Sequence, residues 1–341
     1  MVVIRRLSEF PCQRWNRFVM EQKEATCFHL SEWAEVSMSL YGWDPYYLYA
    51  EDSDTIRAVL PLVHVKHRFA RQALVSTPFC VYGGVLAENS QMTQILEEAA
   101  ADIARELGVA YLEVRQSIRS NPQWTTADLY CTFKRQLLDD VDANFAAVPR
   151  KQRAMVRKGA SAGLTVSFGH NQDLFYEIFA AGMRNLGTPV YPRQLFTILL
   201  HIFGDNLDIL LVEREGRPLA TVLSFYFRDE VLPYYAAGLP EARAFAAFDF
   251  MYWQLMCHAV EKGARKFDFG RSVRGSGAFA FKKNWGFEPR ALPYQYDLID
   301  GCEVPTMDPH RPLYKGLTAV WRRMPLVFAN AIGPLISPRL Y

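Results

Sequence analysis

The chain has 341 residues, 50% of them hydrophobic and 14% aromatic, with 38 basic against 36 acidic side chains and a formal charge of +2. That much apolar material excludes a disordered or fibrous polypeptide and is enough for two domains of ordinary size. Near-neutrality excludes a molecule drawn as a whole to nucleic acid, so no DNA partner is expected and any polyanion site must be local.

Tyr46–Ala50 and Ile56–Val65 flank a polar turn at Glu51–Thr55 and predict a β-hairpin. Pro61, which lacks an N–H, predicts that the second strand is an edge or carries a bulge. An apolar segment ending at Tyr82-Gly-Gly84 follows, then a helix over 90–107 and a strand over 109–115. The second half repeats this order, with strands at 207–213, 218–227 and 231–238, a helix over 245–262 and a strand at 266–269. The repeat is sharpest where Leu107-Gly108 precedes a strand bearing Glu113 and Arg115, and Lys262-Gly263 precedes one bearing Asp268, with Arg271 just beyond. In both places glycine closes the helix before the strand begins. Two α/β domains are therefore predicted, 1–140 and 141–300, with a C-terminal extension over 301–341.

Between the repeats, five basic residues crowd into Arg150-Lys-Gln-Arg-Ala-Met-Val-Arg-Lys158. On a helix Arg150, Arg153 and Arg157 share one side, while Ala154 and Met155 help pack another. Such a helix is either a solvated basic face or a wall for phosphate or a polyanion. A helix is predicted over 168–183 and a short one over 194–203, joined by a connection that holds Asn185, Tyr191 and Arg193. That connection either shapes an acceptor pocket or satisfies a packed loop. The segment 317–336, with Trp321 and Arg322-Arg323, reads either as a shallow membrane-surface element or as packing, and Pro325 and Pro334 interrupt it.

Chemistry concentrates in Phe267-Asp-Phe-Gly-Arg-Ser-Val-Arg-Gly-Ser-Gly-Ala-Phe-Ala-Phe-Lys-Lys-Asn-Trp-Gly286, where an apolar strand runs into a basic, glycine-bearing loop. Gly270, Gly275 and Gly277 let the backbone turn or approach a ligand, and Arg271, Arg274, Lys282 and Lys283 bring positive charge to an anionic group. Alternation places Phe267 and Phe269 on one side of the strand and Asp268 on the other. It also sends one of Tyr234 and Tyr235 into the core and the other toward a cleft, without saying which. The dispersed histidines and cysteines supply no His-Glu-x-x-His or Cys/His ligand set, so no metal is expected. There is no Gly-x-Ser-x-Gly elbow and no Walker loop, and Arg274 stands where the pyrophosphate loop of ordinary acetyltransferases needs glycine. Cysteines at 12, 27, 80, 131, 257 and 302 form no Cys-x-x-Cys pair, and no apolar run reaches the ~18 residues of a membrane span. A cytoplasmic protein is expected.

Val148-Pro-Arg-Lys-Gln-Arg-Ala-Met-Val-Arg-Lys158, Asn185-Leu-Gly-Thr-Pro189, Phe225-Tyr-Phe-Arg-Asp-Glu-Val-Leu-Pro-Tyr-Tyr235, Phe267-Asp-Phe-Gly-Arg-Ser272 and Phe281-Lys-Lys-Asn-Trp-Gly286 occur in one order. Over about residues 10–300 the chain resembles the FemAB-like branch of the GNAT acyltransferase superfamily. It is closest to the FemAB-related proteins associated with exosortase and PEP-CTERM systems. The resemblance implies an α/β fold of two tandem GNAT-like domains with mixed central sheets, and transfer of an activated acyl or aminoacyl group to an amine on a cell-envelope or exopolysaccharide precursor. No tightly bound cofactor is implied; acyl-CoA or aminoacyl-tRNA is the cosubstrate. In the bridge-forming members a lysine in the catalytic region matches Lys282. Asn284-Trp285 departs from their small residue and phenylalanine, and the lack of a charged coiled-coil arm argues against tRNA.

On this reading an acceptor amine attacks the acyl carbonyl directly. Lys282 would stabilise the developing oxyanion, so that its loss would affect the transition state more than folding. Asp268 would position Arg271 or help remove the amine proton. Arg271, Arg274, Gly275 and Gly277 would bind substrate together with Tyr234, Tyr235, Asn185, Tyr191, Arg150 and Arg153. A monomer would suffice, working in the cytoplasm or at the inner face of the cytoplasmic membrane. The alternatives are a noncatalytic binding protein for a carbohydrate or lipid-linked precursor, and an RNA-binding module using 150–158.

Overall fold

The computed structural model describes residues 1–66, 71–299, 301–305 and 312–340. The chain packs into two units, the first built mainly from Met1–Cys131 and the second mainly from Thr132–Arg290.

The first unit begins β1 (Val3–Arg6), α1 (Gln13–Glu21), α2 (Trp33–Tyr41), β2 (Asp44–Asp52), β3 (Thr55–Val65), β4 (Ala73–Ser76), β5 (Leu86–Ala87), α3 (Ser90–Glu106) and β6 (Tyr111–Val114). The predicted hairpin is β2–β3, closed by Ser53 and Asp54, both at positive φ. Such a pair matches the strands' right-handed twist. Pro61 does not mark an edge: β3 lies between β2 and β4, and Pro61 falls opposite Tyr47 just before the β4 ladder begins at Leu62. Its carbonyl still accepts the Thr77 N–H. In α3, Asn89 caps the first turn by accepting from the Met92 N–H, and Leu96, Ala100 and Ala104 form a stripe packed on Leu48, Leu60 and Leu74.

β7 (Thr125–Gln136) enters the second unit, which continues α4 (Val141–Ala147), α5 (Arg150–Ser161), β8 (Leu164–Gly169), α6 (Gln172–Leu186), α7 (Arg193–Phe203), β9 (Leu207–Arg214), β10 (Arg217–Phe227), β11 (Glu230–Gly238), α8 (Ala247–Glu261), β12 (Lys266–Asp268), β13 (Ser272–Val273) and α9 (Gly277–Asn284). Then β14 (Pro289–Leu298) pairs with β6 of the first unit, while α10 (Pro312–Arg323) and α11 (Leu326–Ile336) belong to the second. Residues beyond 300 are therefore not one extension, because the chain revisits both units after α9.

Strand order is β1-β2-β3-β4-β6-β14 in the first unit and β7-β12-β11-β10-β9-β8 in the second. Each set is mixed: β4–β6 and β11–β12 are parallel, and each of these pairs receives a strand that follows a helix, α3 before β6 and α8 before β12. The helix predicted over 168–183 starts later, at Gln172, because Phe168 still belongs to β8, which ends at Gly169, and Asn171 then caps α6 by accepting from the Leu174 N–H. Asn185 consequently lies in the last turn of α6 and not in the connection after it.

Candidate active site

β11 and β12 run parallel through Glu230↔Lys266 and Val231↔Phe267; β12 then ends at Asp268, while β11 continues to Gly238 against β10. From Leu232 onward the β12-facing backbone of β11 is no longer in that ladder. On the β10 side the register slips, since Leu223 opposes Tyr235 and Ser224 opposes Pro233, leaving Tyr234 as an extra residue. This is a β-bulge, the local device that re-aims side chains and bends a strand. Proline suits such a break because it has no N–H for the ladder. The bulge sets the two tyrosine rings 4.7 Å apart at 87°. Tyr235 is the core residue of the pair, packed on Phe179, Tyr191 and Phe196, whereas Tyr234 is half-buried against Phe225.

The basic loop borders this break. Gly270, at φ +67°, turns the chain out of β12 so closely over β11 that an added Cβ would lie 3.4 Å from Leu232 Cδ1. Left-handed backbone of this kind favours glycine. Arg271 follows half-buried, and Arg274, Gly275 and Gly277 are exposed. Ser276 caps α9 by accepting from the Phe279 N–H at 3.2 Å.

Lys282 is buried on α9, and its ammonium donates to the Gly270 and Arg271 carbonyls, both at 3.1 Å. The same nitrogen lies 5.6 Å from the Phe133 ring centroid and 6.0 Å from that of Phe269. Lys282 thereby fixes the turn that presents Arg271 and Arg274. These contacts add a folding role to a residue whose sequence reading weighted the transition state. Phe267 in β12 and Phe269 just beyond it pack together, their ring centroids 4.9 Å apart. Asp268 turns away from them, but into protein: it is fully buried, accepts from the Gly270 N–H at 2.7 Å and the Thr132 hydroxyl at 3.2 Å, and pairs with Lys134 at 3.0 Å.

Lys134 also reaches Glu230 at 3.2 Å, which completes a carboxylate–ammonium–carboxylate cluster that the sequence reading missed. The signal was present in the strand pairing of Asp268 with Lys134, but that pairing is set by tertiary register. Burial first, and Asp268 second, push the Glu230 carboxyl up to about 6. Burial works against the Lys134 charge, but Asp268 and Glu230 outweigh it and hold that ammonium above its ordinary value.

The other predicted residues are distributed around this centre. Arg150 is exposed and Arg153 half-buried on α5, whose preceding Pro149 would lie 3.1 Å from a Cβ added to Gly286. Helix α5 packs through Gln152, Val156 and Gly159, and Ala154 is exposed, in contrast to the packing role predicted for it. Tyr191 joins the Tyr235 cluster, and its carbonyl accepts from the Tyr176 hydroxyl at 3.0 Å. Trp285 is completely buried, and its indole N–H donates to Asp249 at 3.0 Å, so the departure at this position fills the core. Among the described residues no group of three or more His, Cys, Asp and Glu side chains is placed to hold a metal ion.

Residues 146–283 match the family described as "Acetyltransferase (GNAT) domain". The site therefore lies in a GNAT-type region. That stretch includes the Tyr234 bulge, the basic loop and Lys282. No curated protein matches the chain in sequence. Among solved structures, FemX is similar at a TM-score of 0.69 and 14% identity, covering 92% of this chain and 100% of its own. The C-terminal domain of a putative lysylphosphatidylglycerol synthetase from Agrobacterium fabrum is similar at 0.57 and 12% identity, covering 94% of this chain and 95% of its own. A tandem GNAT protein from the clavulanic acid biosynthesis pathway is similar at 0.56 and 12% identity, covering 89% of this chain and 100% of its own. At these identities the likeness is one of fold. No described helix is long and apolar enough to cross a membrane.

Proposed function

We propose that this chain is an N-acyltransferase that moves an activated acyl or aminoacyl group to an amine on a cell-envelope or exopolysaccharide precursor. The observation that carries the reading is the parting of β11 from β12 at the Tyr234 bulge, bordered by the Arg271–Arg274 loop, within the GNAT match. The space beside β11 where β12 has left it suits an extended amide-bearing acyl carrier, which would lie there as an added strand does. The glycine-rich turn leaves room for phosphate close to the backbone, and Arg271 and Arg274 offer forked donors to it. Acyl-CoA and aminoacyl-tRNA both carry an acyl carbonyl and phosphates. The envelope acceptor is supported by the FemAB-like motifs and by the fold shared with a protein named for lysylphosphatidylglycerol synthesis. The exopolysaccharide branch of the reading rests on the likeness to exosortase-associated relatives.

In the reaction the acceptor amine attacks the acyl carbonyl carbon, a C–N bond forms, the thioester or ester bond to the carrier breaks, and the proton lost by the amine ends on the departing sulfur or oxygen, which leaves as the carrier thiol or alcohol. Lys282 serves as a positioning residue, since its ammonium holds the turn that carries the two arginines. In this reading Tyr234, half-buried at the bulge, is the residue assigned to offer a phenol to the reacting groups. Asp268, with its carboxylate committed to Lys134 and Gly270, keeps the end of β12 rigid.

The test is mass-resolved transfer from a mixed pool of acyl-CoA and charged tRNA to cell-envelope precursor extract. A mass shift that needs Arg271 and Arg274 supports the reading, and the donor consumed is thereby named. Saturable precursor binding with no shift would replace it with a noncatalytic binding protein.

A further inference from the structure

Helix α11 is folded with its apolar side outward. Val327, Phe328 and Leu335 are 79%, 60% and 73% exposed, and Ala331 and Ile332 lie on the same side of the helix. At 100° per residue these five positions form one continuous face. The opposite side carries Ala329 and Gly333, and Gly333 packs so closely that an added Cβ would lie 3.0 Å from the Val190 backbone nitrogen. Amphipathic helices of water-facing proteins have the reverse arrangement. On α10, Leu317 and Val320 are likewise apolar and outward, at 62% and 63% exposure. Trp321, marked in the sequence as a membrane signal, is buried and so adds nothing to that surface.

Charge selects the occupant. Residues 312–340 contain four Lys and Arg and no Asp or Glu. Arg322 and Arg323, at the end of α10, are exposed at the junction with α11. The nearby acids Asp173 and Glu177 line a cavity on the Asn330 side of α11, away from its apolar face, and Asp173 is already paired with Arg193. An apolar helix face edged by guanidinium groups matches a bilayer surface, in which acyl chains take the side chains and anionic headgroups take the arginines. We propose that α10 and α11 form an interfacial docking surface for anionic lipid bilayers, with Val327, Phe328, Ile332 and Leu335 inserted and Arg323 among the headgroups. The proposal does not depend on the acyl-transfer reading.

The experiment is co-sedimentation of the full chain with vesicles of phosphatidylcholine alone and of phosphatidylcholine with phosphatidylglycerol, alongside sedimentation velocity without lipid. The chain is expected to bind the anionic vesicles at least tenfold more tightly than the neutral ones. Because Phe328 and Leu335 project into solvent, Phe328→Ser with Leu335→Ser should leave the fold intact, confirmed by an unchanged circular dichroism melt. That double variant is expected to lose at least tenfold in vesicle affinity. Arg323→Gln is expected to lose about fivefold on anionic vesicles, the equivalent of one basic residue at a charged surface. Equal affinity for both vesicles would overturn the proposal. So would vesicle binding unaffected by the Phe328 and Leu335 changes, or concentration-dependent dimerisation abolished by those changes with no vesicle binding, which would make a second copy the occupant.

Discussion

Lys282 and Glu230 show how single side chains set the properties of the site. Replacing Lys282 with methionine removes the charged donor from two carbonyls of the β12–α9 turn. Each loses a hydrogen bond inside a buried environment, so a cost of about 2 kcal/mol in stability is expected. Urea denaturation would measure it, and an unchanged midpoint would show that the ammonium is not holding the turn. Transfer by the folded fraction should also fall, because Arg271 and Arg274 lose their fixed placement. Glu230 makes a prediction in pH. Its carboxyl ordinarily ionises near 4.5 but keeps its proton to about 6 in the folded chain. The unfolded chain therefore binds fewer protons between those values, and stability falls with rising pH there. This contribution is complete below about pH 4.5 and lost as pH rises through about 6. Glu230→Gln is expected to flatten that part of the stability profile; the same slope in the variant would assign it to another group. Glu230 was invisible in the sequence as part of a cluster because Lys134 and Asp268 lie 96 and 38 positions from it.

Elements differ in how much of their role is local. Helix α3 and its closing Gly108, and α8 with Gly263, follow from apolar spacing and from glycine at positive φ after the last turn. Helix α5 was legible as a basic helix, but its buried side was not, since Gln152 and Gly159 carry no apolar signal. Gly159 faces α8, where an added Cβ would lie 2.7 Å from Phe250 Cβ. Gly159→Ala should therefore destabilise the chain by about 1–3 kcal/mol despite the better helix propensity of alanine. Thermal denaturation would check it, and a stabilised variant would mean that the two helices separate easily. The Tyr234 bulge is the element-scale feature on which the proposed acyl transfer rests. Pro233 hinted at a break in the strand, but the extra residue is defined only by its count against β10.

At the scale of the molecule, a net charge of +2 conceals local excess, with Arg150, Lys151, Arg157 and Lys158 exposed on α5. Pro149, at the head of this helix, adjoins Gly286 at the end of the loop and helix segment that carries Lys282. Neutralising Arg150 and Lys151 together is expected to weaken a phosphate-bearing donor about fivefold, the effect of two solvent-exposed charges. The loss should appear in the KM of the transfer reaction and fade at high salt; an unchanged KM would leave α5 a solvated face. The sequence by itself determined the mixed α/β class, the repeated order of strands, helix and strand, and the gathering of glycines and basic residues in 267–286. Those features depend on residue periodicity and on glycine, which act within a few positions along the chain. Only the tertiary structure decided that β14 returns to the first unit, that Tyr235 and not Tyr234 enters the core, that Lys282 is tied to two carbonyls, and that α11 turns its apolar side outward. Each of these depends on which distant segment occupies the neighbouring space, and burial is a property of that neighbour as much as of the residue itself.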